Sequence, residues 1–330
     1  MKDIKIIRPL VFFLGLAGVA LFIILLFREG VGQVGLAIAH AGWWLVALTL
    51  YHLLQTMSDS VGWLVLVPIE NRVPLSRSFA LHWMGESINN LLPTARVGGD
   101  IIVARIAAMW GMPLRIATAA IIIDVTVGIV TKVFYLITAC ILLVATTGRT
   151  DLTRPILVAV LTGILAVIGF YAVQRAGIFR WSAMLAARLA KSPAWDSLIQ
   201  SGEALDQAIR LLYSRRSGVA GCCFFWVLSW LLASGELWLG LRVLGVQTSF
   251  ATAIILESAS LAIRGAAFLV PGALGVQEGG YILFGNLLGI SGDIALALSV
   301  FRRVRELALG IPGMLAWHWI EARRLRQSRV

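Results

Sequence analysis

The sequence encodes an all-α polytopic membrane protein: about six transmembrane helices plus two re-entrant broken-helix hairpins in an inverted repeat, all within one integral membrane domain, 1–330. Three observations carry this reading. The 330 residues are 59% hydrophobic and 14% charged, with a mean hydropathy of +0.88, whereas a soluble domain carries about 25% charge. Apolar runs long enough to cross about 30 Å of hydrocarbon recur along the chain. Two further apolar regions are interrupted in the same way, each by a proline, glycines and a carboxylate.

The uninterrupted runs lie at roughly 9–27, 41–67, 116–146, 155–173, 219–245 and 292–320. The first follows Lys2, Lys5 and Arg8 and reads as an uncleaved helix. The small residues Ala37-Ile38-Ala39 stand too far beyond it for signal-peptide cleavage. Trp43, Trp44, Trp317 and Trp319 fall at span ends, where indoles anchor at the interface.

The interrupted regions are 78–111 and 251–289. One reads Leu91-Leu92-Pro93-Thr94-Ala95-Arg96-Val97-Gly98-Gly99-Asp100, the other Leu269-Val270-Pro271-Gly272-Ala273-Leu274-Gly275-Val276-Gln277-Glu278. The spacing from Pro93 to Asp100 and Gly111 recurs from Pro271 to Glu278 and Gly289. Each half is short for a span. Irregular backbone at membrane depth must be satisfied by protein or by a water-filled cavity, which favours a re-entrant hairpin over one long kinked helix.

Loop charge separates those alternatives. With both regions re-entrant, Lys and Arg number 17 on one side of the membrane and 3 (Arg28, Arg149, Arg154) on the other. That bias places both termini in the cytoplasm, and the expected location is a bacterial inner membrane. The first hairpin then enters from the cytoplasm and the second from outside, so the halves 9–146 and 219–320 are inverted. Paired interruptions in corresponding halves point to a transport site near the midplane.

Between the halves, 174–218 is the one sizeable polar segment. Pro193 divides it, and Trp195, Leu198, Ile199, Leu205, Ile209 and Leu212 recur at helical spacing. Two amphipathic helices on the cytoplasmic face are expected, with Arg180, Arg188, Lys191, Arg210, Arg215 and Arg216 near anionic headgroups. The alternative is a loop that only sets orientation.

Eight cations remain in or beside apolar segments (Arg96, Arg105, Lys132, Arg242, Arg264, Arg302, Arg303, Arg305), and eight acids match them (Asp59, Glu86, Asp100, Asp124, Glu236, Glu257, Glu278, Glu306). A charge at the helix centre costs about 2.5–3.5 kcal/mol on insertion scales, so these groups must face one another or a polar cavity. Asp59, Arg105 and Arg242 are placed to snorkel from span ends. Asp124 and Lys132 stand too far apart on one helix to pair and need partners on other elements. Arg302, Arg305 and Glu306 share one face of the last span. Arginine suits bidentate phosphate or carboxylate binding, so this cluster either contacts an anionic headgroup or serves as counter-ion for Glu257 or Glu278. Glu86 and Arg264 precede the two prolines by the same distance with opposite sign.

Other chemistries find little support. The net charge of +11 sits in loops, without a basic domain or recognition motif, so no nucleic-acid partner is expected. Cys140, Cys222 and Cys223 form no CxxC, and His40, His52, His82 and His318 are scattered. They read as packing or interfacial residues, with no metal or cofactor. No Walker A motif is present.

The stretches Glu86-Ser87-Ile88-Asn89-Asn90-Leu91-Leu92-Pro93 to Gly98-Gly99-Asp100, Pro271-Gly272-Ala273-Leu274-Gly275-Val276-Gln277-Glu278-Gly279, and Phe301-Arg302-Arg303-Val304 before Gly310 resemble the transmembrane domain of lysylphosphatidylglycerol synthases, the MprF-type flippase region. The likeness extends over nearly the whole chain and is similar to a stand-alone, hopanoid-biosynthesis-associated branch. It implies movement of lipids or lipid-linked molecules between leaflets. Aminoacyl transfer is not implied, since that chemistry belongs to a soluble C-terminal domain and the chain stops soon after its last span. Thr94-Ala95-Arg96 departs from the Pro-Gly-like residues expected in the first hairpin.

A lipid flippase is therefore the leading expectation, with hopanoid, anionic lipid or glycolipid as cargo and no enzymatic activity. Arg264, Arg302 and Arg305 would hold an anionic headgroup, while Glu86, Asp100, Glu257 and Glu278 balance charge or relay protons. Asn90, Pro93, Arg96, Asp124, Lys132, Pro271, Gly275 and Glu306 complete the candidate substrate-binding set. The alternatives are an intramembrane transferase using acids such as Glu257 and Glu278, and an accessory subunit of lipid-biosynthesis enzymes. The expected partners are a membrane lipid, a second copy of the chain, or such enzymes.

Overall fold

The computed structural model describes residues 20–21, 23–92, 98–148, 157–158, 161–165, 168–169, 171–172, 195–267, 270 and 273–327, and among them every regular element is helical. Pro93, Arg96, Pro271, the segment 174–194 and parts of the runs 9–27 and 155–173 lie outside the described residues. The helices are α1 (Val31–Ala41), α2 (Trp44–Leu66), α3 (Leu75–Leu91), α4 (Gly98–Met109), α5 (Leu114–Thr147), α6 (Trp195–Ser214), α7 (Arg216–Val243), α8 (Phe250–Ala266), α9 (Val276–Leu287) and α10 (Gly292–Gln327).

Local chemistry sets the boundaries. Pro74 and Pro113 stand just before α3 and α5, where a proline's fixed φ and missing N–H cost nothing. Ser249 caps α8 by accepting from the Thr252 N–H at 3.3 Å. Gly148 ends α5 in the left-handed region at φ 66°.

Two pairs of helices are interrupted alike. α3 and α4 have 17 and 12 residues, and α8 and α9 also have 17 and 12. A glycine with positive φ follows each short helix (Gly111 at 99°, Gly289 at 77°), and a long helix comes next: α5 of 34 residues, α10 of 36. Within each pair the chain folds back on itself. A Cβ on Gly99 of α4 would stand 2.2 Å from the Gly85 carbonyl of α3, and one on Gly280 of α9 would strike Ile263 of α8. Small residues at crossings let membrane helices approach this closely.

By length and composition, α5 and α7 suffice to cross a bilayer on their own, with mean hydropathies of 2.3 and 1.6 over their best windows. α2 and α10 are long enough, but both are interrupted by polar and charged side chains. The expected six uninterrupted spans thus reduce to two clear ones among the described residues. The polar residues of α2 and α10 face inward, whereas Phe134, Ile141, Phe224, Leu36 and Leu315 are exposed on the outer faces. Buried charge with exposed large apolar side chains inverts the pattern of a soluble protein and suits a hydrocarbon surround.

α2 and α7 form the central antiparallel pair. Gly218 packs beneath the Val65 carbonyl, Gly62 meets Phe225, and Gly235 faces the Tyr51 hydroxyl. Ser58 adds a cross-helix bond to the Phe225 carbonyl at 2.8 Å. α10 is held to α3 by the Trp83 indole, which donates to the Leu309 carbonyl at 2.9 Å near Pro312.

The described part of the polar linker departs from expectation. Of the apolar stripe of α6, Ile209 and Leu212 are buried in the protein's own core with Ala120 and Ile123 of α5. Arg215 donates to the Leu66 carbonyl at 2.8 Å, closing the end of α2 instead of facing a headgroup. Trp317 likewise packs against the core, while Trp43, Trp44 and Trp319 are exposed as interfacial anchors would be. Arg105 reaches Glu321 on α10, and Arg242 stacks 4.6 Å from the Trp238 ring.

The Gly85–Gly99 crossing generates a testable consequence. Gly99→Ala puts a methyl group into backbone, and overpacking of this kind costs about 1–3 kcal/mol. Its melting temperature in detergent should fall clearly, whereas Gly35→Ala, with open space around it, should be neutral.

Candidate functional site

Where the broken pairs meet the long helices, the buried charges converge. α2 contributes His52, Gln55, Thr56 and Asp59, spaced i, i+3, i+4 and i+7, so that one stripe of an otherwise apolar helix is polar. α3 contributes His82, Glu86, Asn89 and Asn90; α5, Asp124 and Lys132; α8, Glu257 and Arg264; α10, Arg302 and Arg305. These stripes enclose a cavity of about 260 Å³, which Trp63, Trp226, Trp230 and Asp100 also line.

A continuous network runs along one wall. His52 Nε2 lies 2.8 Å from Glu86 Oε1, and its Nδ1 lies 3.1 Å from Glu236 Oε2. Glu236 is bound in turn by Arg305. Glu86 also accepts from Thr56 at 3.2 Å and from Asn90 at 3.4 Å. Asn90 takes Arg264 at 3.3 Å, and Arg264 pairs with Glu306 at 3.3 Å. Arg302 binds Glu257 at 2.8 Å and the Tyr281 hydroxyl at 3.1 Å. Arg303 joins Glu278 and Glu306, each at 3.1 Å. In this network α2, α3, α7, α8, α9 and α10 are tied together.

The carboxylates that follow the two breaks occupy equivalent places. Asp100 lies in the first turn of α4 and Glu278 in the first turn of α9, where unpaired N–H groups and the helix dipole favour negative charge. In α4 the Gly99 N–H, which has no partner within the helix, is taken by the Asn89 side-chain oxygen at 2.9 Å. Glu278 is fully buried and also accepts from Ser299 at 3.2 Å. Ahead of α9 the backbone is strained: Ala273 sits at φ 50° and Gly275 at φ 74°. A non-glycine residue in that region costs of order 1–3 kcal/mol and persists only where its surroundings over-determine it.

On the opposite wall Asp124 finds partners on α7, accepting from the Trp226 indole at 2.9 Å and facing the Cys222 thiol at 3.4 Å. Lys132 lies 5.5 Å from the Trp230 ring. Asp59 lines the cavity, with a buried Oδ1 that has no hydrogen-bond partner. It does not snorkel to a span end as expected.

Of the residues singled out in the sequence, Glu86, Asn90, Asp100, Asp124, Lys132, Glu257, Arg264, Arg302 and Arg305 share the one cavity. Glu306 lines a smaller adjoining one, Glu278 joins through Arg303, and Gly275 shapes the second break. Arg264, Arg302 and Arg305, expected as headgroup ligands, each hold a glutamate. Glu257 and Glu278 are engaged by different arginines. The sequence reading missed His52, Gln55 and Thr56, and it counted Glu236 and Arg303 among the membrane charges without assigning them to the site. The signal that could have found the first three is the polar stripe of α2.

Fold and site together define a class: a helical membrane protein in which two interrupted helix pairs and the long helices beside them bury a charge network next to a polar cavity. The family model for the lysylphosphatidylglycerol synthase TM region matches residues 12–313, and the chain belongs to that family. No curated protein and no solved structure matches it.

Breaking one partner of a buried ion pair costs about 3–5 kcal/mol, because the other charge is stranded. Glu257→Gln should therefore destabilise the protein strongly. The double variant Glu257→Gln/Arg302→Gln should cost less than the sum of the single changes, as read by a double-mutant cycle of thermal unfolding.

Proposed function

We propose that the protein is a lipid transporter of the bacterial inner membrane, a flippase for a lipid or lipid-linked molecule, rather than an enzyme. The observation that carries this reading is the cavity of about 260 Å³ lined by both signs of charge within a bundle whose outer faces are apolar. Sites that enclose a drug-sized ligand run from about 300 to 1,000 Å³. A space at or below that range suits a headgroup while the acyl chains remain in the bilayer.

The paired breaks support an inverted repeat around this cavity. Helices of 17 and 12 residues recur in the same order, and α4 and α9 begin at positions related by the same offset as Pro93 and Pro271, as do α5 and α10. α2 and α7 pack antiparallel, as inverted halves would place them. Such folds put substrate near the midplane at the junction of the halves. With both termini cytoplasmic, the two breaks face opposite leaflets. Family membership favours a lipid cargo, and hopanoid, anionic lipid and glycolipid are the classes to compare.

Protein reconstituted into phosphatidylethanolamine/phosphatidylglycerol vesicles should exchange fluorescent lipid between leaflets faster than empty vesicles. Val125→Trp, which fills the cavity from α5 without replacing a charged residue, should slow that exchange at least several-fold while leaving detergent stability near wild type. Exchange no faster than in empty vesicles across anionic, zwitterionic and glycosylated probes would overturn the reading.

A further inference from the structure

The arginines and glutamates of the network do not balance. Glu86, Glu236, Glu257, Glu278 and Glu306 face Arg264, Arg302, Arg303 and Arg305, and the remaining member is His52. Its two ring nitrogens meet oxygens of two carboxylates, Glu86 from α3 and Glu236 from α7. A neutral imidazole donates from one nitrogen only and presents a lone pair at the other, whereas a carboxylate only accepts. With both acids ionised, both contacts are hydrogen bonds only when the ring is imidazolium, and that state also completes the charge balance.

We infer that the transport cycle carries a proton and that His52 is its binding site. This rests on the transporter reading above. His52 lines the main cavity and a smaller one that Trp83, Ser87, Glu306 and Gly310 enclose, so a proton can reach it from a polar space. Discharge breaks one N–H bond and forms an O–H bond on a cavity water, leaving a neutral ring with its lone pair against a carboxylate oxygen. One of the two contacts must then open. Glu86 keeps Thr56 and Asn90, and Glu236 keeps Arg305, so neither acid is stranded. The Glu86 side leads along α3 into the first break, and the Glu236 side leads through Arg305 to α10.

Charged groups face the ring from several helices. Arg305 on α10 approaches through Glu236, Asp59 lies two turns along α2, Asp100 of α4, Asp124 and Lys132 of α5, Glu257 and Arg264 of α8 and Arg302 of α10 line the same cavity, and Glu306 lines the adjoining one. His82 of α3 is engaged with the Ser78 carbonyl at 2.9 Å. Among the described residues His52 is the histidine placed between two acids, so the ring holds its proton while both contacts stand and can give it up when one opens.

One proton per cycle ties the leaflet distribution of cargo to the pH gradient, because a tenfold ratio corresponds to about 1.4 kcal/mol, the value of one pH unit. In the proteoliposomes above, whichever labelled lipid the wild type exchanges should redistribute by about tenfold per unit of imposed gradient, reversing when the gradient is reversed. His52→Gln, which keeps a hydrogen bond but takes up no charge, should abolish that bias. Should H52Q not purify as a monodisperse protein, Glu86→Gln takes its place and should lose the bias as well. Exchange that ignores the gradient in wild type, or a bias that survives in H52Q, overturns the inference alone. Absence of any exchange in wild type overturns the transporter reading and the inference with it.

Discussion

An ionised side chain in a low-dielectric interior must have a partner, and most of this architecture follows from that constraint. Five glutamates, four arginines and a histidine could not each be satisfied by neighbours one turn away. Apart from the short-range links among Arg302, Arg303 and Glu306, the contacts join residues distant in sequence: Glu86 with His52, Glu236 with His52 and Arg305, Glu257 with Arg302, Glu278 with Arg303. Apolar packing within hydrocarbon gains little, since lipid tails are as apolar as leucine. Charge pairing therefore supplies much of the specificity with which these helices find one another. Glycines at the crossings then allow close approach.

The same constraint explains why simple hydropathy finds two clear spans. α5 and α7 carry few charges, and their partners for Asp124 and Glu236 are found at a single face. α2 and α10 carry the polar stripes that build the site, and the apolar test penalises them for it. The helices that look least like membrane spans, α2 and α10, bring most of the ion-pair wall, while the apolar α5 and α7 line the cavity with few charges.

This also marks what was legible in the sequence. The breaks were legible because proline and glycine spacing is local, and α2, α5, α7 and the paired helices begin and end within a few residues of the runs read in the sequence, whereas α1 falls in a stretch assigned to no span. The balance of acids and cations was legible as a count. Which acid meets which cation was not, because His52 and Glu236 are separated by most of the chain and neither is unusual by itself. The arginines of α10 illustrate the ambiguity. Three cations within four residues are compatible with a phosphate or with buried glutamates, and only the fold places Glu236, Glu257 and Glu278 within reach. The amphipathic stripe of α6 was equally compatible with lipid or with protein, and here it packs on α5.

The offset that relates Pro93 to Pro271 also relates Glu86 to Arg264 and Asp124 to Arg302, and in both cases the sign inverts. In the proposed repeat, identical charges at these places would bring like charges together around a shared cavity, at a cost that a low dielectric magnifies. Opposite signs remove that repulsion. Glu86 and Arg264 are linked here through Asn90, and Arg302 draws on Glu257 while Asp124 is satisfied by neutral donors on α7. The two sides of the cavity are therefore chemically distinct though similar in helical plan: one wall is a lattice of ion pairs, and the other presents Asp124, Lys132 and the unpartnered oxygen of Asp59 beside tryptophans. In the transport proposed above, a polar headgroup meets one wall whose charges must be exchanged to yield and another whose acids need not be, and that asymmetry assigns the rearrangement of the proposed cycle to the lattice around His52.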